Sequence, residues 1–133
     1  MRGILPSTWS GPLMSLMRLV FGLIYFQHGT QKFFDWPVPF PMEFATLSRF
    51  AIGGSLELVG GALLMLGLFT RPVAFVAAGH MAVTFFWMHL PGNGFWPLGN
   101  GGEAPVLLCF GFLFLAAAGP GTIAVDRPKA VGH

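Results

Sequence analysis

Four polar side chains interrupt one apolar run. They are Gln27, His28, Gln31 and Lys32 in the stretch Tyr25-Phe26-Gln27-His28-Gly29-Thr30-Gln31-Lys32-Phe33-Phe34. On a helix, His28 and Lys32 lie one above the other, as do Gln27 and Gln31, so the two rows form one polar stripe. An acid, Glu57, and a further histidine, His80, sit inside two later apolar runs, and Asn100 and Glu103 close a glycine-rich stretch. Imidazoles can hydrogen-bond a carbonyl oxygen and relay its protons near neutrality. An ammonium can stabilise a reduced oxygen, and a carboxyl can exchange protons with water. The expectation is therefore acid–base work by Glu57, His28 and Lys32 on a small oxygen-bearing molecule, with Gln31, His80, Asn100 and Glu103 contacting it.

Other chemistries fit these residues less well. His28 and His80 on two helices could be axial haem ligands, which is the weaker reading of the pair. His-x-x-x-His spacing does not occur, and the single Cys109 excludes an intrachain disulfide, a CxxC redox pair and a cysteine-rich metal site. No metal site is expected. Gly92 to Gly102 is not a phosphate loop, because it lacks the GKS or GKT ending and a preceding strand. Each residue also has a structural alternative. Glu57 can pair with Lys32, Arg49 or a histidine to hold helices together, and His80 can be an interhelical hydrogen-bonding residue. Glu103 suits a helix N-terminus capped by Asn100 or Gly101.

The elements that must position these groups are membrane helices. The chain is 54% hydrophobic and 9% charged, whereas about a quarter of a soluble domain is charged. So few charges cannot coat a water-facing surface. The 133 residues suit one domain, and a net charge of +2 spread along the chain speaks against a nucleic-acid partner. The first apolar run has no A-x-A pattern behind it and reads as retained rather than as a cleavable signal.

Four helices are expected, near residues 13–34, 50–69, 72–90 and 101–118. The first would span roughly 33 Å at 1.5 Å per residue. Arg18 in its first third is expected to snorkel to the near headgroups. Pro37, Pro39 and Pro41 cannot continue a helix, so Asp35 to Phe44 reads as an interfacial loop, followed by a short amphipathic lead-in over Glu43 to Phe50. In the second helix, Gly53, Glu57 and Gly61 share a row, and small residues let a neighbour approach closely in lipid. Thr70-Arg71-Pro72 makes a turn, with Pro72 at the first position of the third helix. His89 reads as interfacial. Phe95 and Trp96 are interfacial anchors, and the tail to His133 is loose. The fourth apolar core, Ala104 to Ala118, is short for a full span.

Four crossings put both termini on one side, with Arg2, Arg18, Arg71, Arg127 and Lys129 against Lys32 and Arg49 on the other. The basic excess marks the cytoplasmic face of a bacterial-type inner (plasma) membrane. His28 lies roughly 9 Å from its helix end, Glu57 at a similar depth and His80 near 13 Å, with Glu103 opening the fourth helix. Matched depth is what a shared polar pocket in the outer half of the membrane requires.

The order of motifs resembles the DoxX family of small four-helix membrane proteins. The matching residues are Arg18-Leu19, His28-Gly29-x-x-Lys32, Glu57-x-x-Gly60-Gly61 and Gly67-x-x-Thr70-Arg71, then His89, Asn100-Gly101-Gly102-Glu103, Gly119-Pro120-Gly121 and Asp126. The resemblance implies an all-α bundle and an association with membrane redox systems: a thiosulfate-to-quinone oxidoreductase subunit, oxidative-stress complexes, and quinone or catechol detoxification. The expectation is a small subunit of such a system, offering a polar pocket to a quinone or similar lipophilic redox molecule. With no flavin, haem or iron–sulfur motif in the sequence, electrons would come from a partner protein. The alternatives are a non-enzymatic membrane anchor or assembly subunit and a small transporter, and a homo-oligomer suits so small a bundle.

Overall fold

A computed structural model describes residues 3–41 and 49–126. All regular structure among them is helical. A 3-10 turn at Ser7–Trp9 leads into α1 (Ser10–Phe34), followed by α2 (Arg49–Leu66) and α3 (Thr70–Thr84). One π turn, Phe85–His89, extends α3; α4 (Pro97–Asn100) is a single turn, and α5 spans Glu103–Ala118. Ser7–Phe34, Arg49–Leu66 and Thr70–His89 are long and apolar enough to cross a membrane, whereas α5 has 16 residues. Residues 43–48 of the lead-in expected over Glu43 to Phe50, together with Arg2, Arg127, Lys129 and the rest of the tail to His133, lie outside the described residues.

Local chemistry explains where the helices stop. Gly67 takes φ +71, a left-handed backbone that glycine adopts without steric penalty. Its N–H bonds Leu64 O at 3.1 Å, and the next, Leu68 N–H, bonds Leu63 O at 2.9 Å. This pair of bonds satisfies the last carbonyls of α2, so the helix ends at Leu66 rather than near Phe69. Pro72 then falls in the first turn of α3, two residues after Thr70, where its missing N–H breaks no helical bond. Leu90 N–H reaches Phe85 O at 3.0 Å, and this five-residue spacing widens the end of the third span.

Packing is inverted relative to a soluble protein. Phe75, Leu107 and Phe110 are 65%, 65% and 66% exposed, while Arg18 and Glu57 are 4% and 3% exposed. Apolar side chains outside and charged ones inside suit a hydrocarbon solvent. Helix α1 packs on α2, α2 on α3, α3 on α5 and α5 on α1. Tyr25, Leu64, Ala77, Met81, Phe112 and Leu115 form much of the shared core. Glycines set the closest approach: a Cβ on Gly61 would stand 2.7 Å from Phe26 Cα, and one on Gly29 would stand 2.9 Å from Gly54 O.

Arg18 does not snorkel. Its Nε donates to Leu64 O at 2.8 Å, Nη2 to Met65 O at 3.5 Å and Nη1 to Pro120 O. Those are last-turn carbonyls of α2 and a carbonyl just beyond α5; Leu64 O, already bonded by Gly67 N–H, accepts the guanidinium through its second lone pair. The chain after α5 folds back over this end, which gives the guanidinium acceptors nearer than the headgroups. Asp126 completes the cluster, accepting from the backbone N–H of Phe69 at 2.8 Å and of Thr70 at 2.9 Å. It thereby caps α3 from across the molecule.

Candidate functional site

Helices α1 and α2 meet around one ion pair. Lys32 Nζ lies 2.7 Å from Glu57 Oε1, with the side chains 14% and 4% exposed. The pair forms because glycines let α2 slide under α1: the Lys32 stem runs over Gly54, where a Cβ would stand 3.3 Å from its Cδ. Lys32 Nζ also reaches His28 O at 3.4 Å, and Phe40 covers the ammonium with its ring centroid 5.5 Å away. Phe40 is held by the bond from its own N–H to Asp35 Oδ1 at 3.0 Å. The proline-rich loop thus closes over the top of the pair.

The two histidines are held in different ways. His28 Nδ1 is 2.7 Å from Ile24 O. A carbonyl oxygen can only accept, so Nδ1 carries the proton, and in the neutral ring Nε2 is left as a bare acceptor. His80 Nδ1 is 2.7 Å from the hydroxyl of Tyr25, which is 1% exposed. A buried phenol satisfies its proton by donating it, which assigns the ring proton of His80 to Nε2. One imidazole then offers an acceptor and the other a donor. That is a complementary set for a molecule interchanging hydroxyl and carbonyl oxygens.

Both rings line one cavity of about 720 Å³ together with Gln31, Lys32 and Glu57, a volume in the range of small-molecule sites. The structure thus brings five of the seven sequence-predicted residues to a single space. Gln31 is partly committed, donating from Nε2 to Pro39 O at 3.3 Å.

Asn100 and Glu103 stand apart from these five. Asn100 is buried but turned into its own loop, donating to Gly94 O at 2.9 Å and accepting from Gly102 N–H at 2.8 Å. Glu103 is exposed in the first turn of α5. Gly101 and Ala104 border the cavity in their place.

Arg49, Thr84, Trp87 and His89 also line the cavity, and none of them is among the residues expected there from the sequence. Thr84 was legible at i,i+4 from His80, and its hydroxyl bonds His80 O at 2.8 Å. Trp87 and His89 come to the cavity on the π turn, a device frequent at functional sites that no sequence spacing announced. The aromatic rings of Phe40, Phe50 and Trp87 give the cavity flat apolar walls.

The motif positions divide between the two ends of the molecule. His28, Lys32 and Glu57 meet at the cavity, while Arg18, Gly67, Thr70, Arg71, Gly119, Pro120 and Asp126 meet at the opposite end. There Arg71 Nη1 bonds the Ala117 and Ala116 carbonyls at the end of α5, and Gly119 leaves room for its guanidinium.

The DoxX family model matches residues 13–90. An uncharacterized protein of Haemophilus influenzae is 35% identical over 118 residues, covering 86% of this chain and 88% of its own. An uncharacterized membrane protein of Mycobacterium tuberculosis is 30% identical over 131 residues, covering 87% and 80%. No solved structure matches the chain.

Proposed function

The chain belongs to the DoxX family, and on that premise we propose that it is a small subunit of a membrane redox system whose cavity takes a quinone or a similar lipophilic redox molecule. The observation that carries this reading is the Lys32–Glu57 pair at 2.7 Å on the wall of a cavity that His28 and His80 share. A quinone supplies the electron-accepting group, and each electron it takes up is matched by a proton.

The chain's residues serve that proton. His80 Nε2–H donates a hydrogen bond to a carbonyl oxygen. Lys32 places positive charge and a transferable proton beside the oxygen on which negative charge builds. His28 Nε2 holds a hydroxyl by accepting its proton, and Glu57 restores the proton of the pair from the aqueous side. Phe40, Phe50 and Trp87 enclose a flat ring. Electrons come from a partner protein.

In this reading α5 is the fourth crossing of a four-helix bundle. It is about 24 Å long at 1.5 Å per residue, short of a hydrocarbon core of about 30 Å, and local thinning or the preceding α4 turn makes up the difference. Both termini face the cytoplasm of a bacterial-type inner membrane, from the excess of basic residues at that end. Homo-oligomers suit the amount of apolar surface left outside. Titration of the purified protein with a ubiquinone analogue tests the site. Glu57→Gln and His28→Ala should each weaken binding, and equal affinity in all three proteins removes the pocket from the reading.

A second reading is favoured by where the ion pair sits, at a close approach of α1 and α2 over Gly29 and Gly54. The chain would then be a non-enzymatic anchor or assembly subunit whose polar cluster holds helices together. It predicts that Glu57→Gln lowers stability or partner recovery and leaves quinone binding and redox turnover as they were.

A further inference from the structure

A second cavity, about 630 Å³ and almost wholly apolar in its lining, lies between α2 and α3. Its floor is Gly60 and the ring of Tyr25: a Cβ on Gly60 would stand 3.2 Å from Tyr25 Cε2, so a larger residue there would fill the groove. Val59 and Val76 form its rim and are 62% and 53% exposed. On a span that crosses a membrane, that exposure faces hydrocarbon, and the groove opens sideways into the bilayer.

The groove and the polar cavity adjoin along α2 and α3. Ile52, Leu56 and Val76 line both. Tyr25 joins them chemically as well, because its ring lies in the apolar groove while its hydroxyl holds His80 of the polar cavity. We propose that the two cavities are one amphiphile site. The ring head lies against Lys32, His28 and His80, and a hydrocarbon tail on the same molecule lies in the α2–α3 groove, having entered laterally from the bilayer. The proposal rests on the reading of the polar cavity given above and adds the substrate class: a molecule with one oxygen-bearing head and one long apolar chain. From Ile52 to Leu63 the groove follows α2 for roughly 16 Å at 1.5 Å per residue, enough to seat an extended alkyl or isoprenoid chain rather than a methyl group. An unrelated phospholipid acyl chain would need no wall in common with the polar cavity, and the shared lining argues for a tail bonded to the head.

The test uses the full chain in lipid nanodiscs and a fully substituted benzoquinone made with a decyl tail or with a methyl group in its place. Affinities are referred to the concentration in the lipid phase. The decyl compound is expected to bind at least tenfold more tightly, and Val59→Trp, which places an indole in the groove, should shrink that ratio severalfold or more. A diazirine at the tail end should label Leu63, Pro72 or Val73. Equal affinities for the two compounds, a ratio unmoved by Val59→Trp, or label only on lipid and on the outer face of α5 overturns the tail groove while leaving the polar site standing. Binding of neither compound overturns both.

Discussion

Tyr25 Oη lies 2.7 Å from His80 Nδ1, so the core of the protein reaches the candidate site through one hydrogen bond. The phenol belongs to the apolar core around Leu64 and Phe112, and the imidazole belongs to the cavity wall. Nitrogen-15 spectra of histidine-labelled protein should show His80 protonated on Nε2 and His28 on Nδ1. Tyr25→Phe should let His80 exchange tautomers and weaken quinone binding by roughly 0.5–1.5 kcal/mol, the usual worth of one hydrogen bond. Matching tautomers for the two rings in the wild-type protein would contradict the assignment.

The Lys32–Glu57 pair is nearly dry, and breaking such a pair leaves an uncompensated charge. Glu57→Leu alone should lower unfolding stability in detergent by about 3–5 kcal/mol. Adding Lys32→Met should recover most of that loss, because two apolar side chains in place of a buried pair are often tolerated. The double variant should still fail to bind quinone. A double variant as unstable as the single one would mean that the two charges have separate partners.

Arg18 holds two helix ends with one planar fork. Arg18→Lys keeps the charge but cannot present three donors in fixed directions, so a loss of about 1.5–3 kcal/mol is expected, the range for bonds to a charged group. Thermal unfolding measures it, and quinone affinity in the folded fraction should not follow. If Arg18→Lys unfolds at the wild-type temperature, the carbonyl clamp is not holding the ends together.

Asp126 makes this end sensitive to acid. Burial pushes its carboxyl up, but the backbone N–H groups of Thr70 and Phe69 and the Arg18 guanidinium outweigh burial and hold it below its ordinary value. A carboxyl depressed in the fold contributes stability that is complete above its unfolded value, about 3.9, and is lost as pH falls through the folded value. Unfolding midpoints taken from pH 5 downward should therefore drop on the acid side, and Asp126→Asn should flatten that limb. Stability rising on acidification by way of this residue would reverse the sign.

Two glycines in helices separate close approach from conformational freedom. Gly61→Ala would set a methyl 2.7 Å from Phe26 Cα, a clash with backbone that should cost about 1–3 kcal/mol and loosen the Lys32–Glu57 pair. Gly79 has nothing within 4 Å of an added Cβ, so Gly79→Ala should stabilise by about 0.5–1 kcal/mol through helix propensity. Differential scanning of the two variants should move the midpoint in opposite directions, and equal shifts would remove the packing argument.

Much of this could be read from local sequence because its causes are local. Long apolar runs, prolines at 37, 39 and 41 and the glycine-rich stretch before Glu103 mark helices and loops by solvation and backbone freedom alone. Depth was legible too. A helix rises a fixed distance per residue, so counting from its ends put His28, Glu57 and His80 at similar levels, and these three share a cavity wall. The stop at Gly67 has a local cause too, but the helix expected from the sequence runs to near Phe69, because a glycine inside an apolar run does not announce a left-handed backbone.

Azimuth and long-range return were decided by the tertiary structure. Rotation of a helix about its axis depends on which neighbour packs against it, and Glu103 at a suitable depth is exposed while Ala104 beside it lines the cavity. Asn100 satisfies its amide within its own loop, and the π turn brings Trp87 and His89 to the cavity instead. Arg18 found carbonyls rather than headgroups because the chain after α5 folds back to place Pro120 beside it. Composition and spacing set how far along each helix a side chain sits, and only packed neighbours set which way it faces.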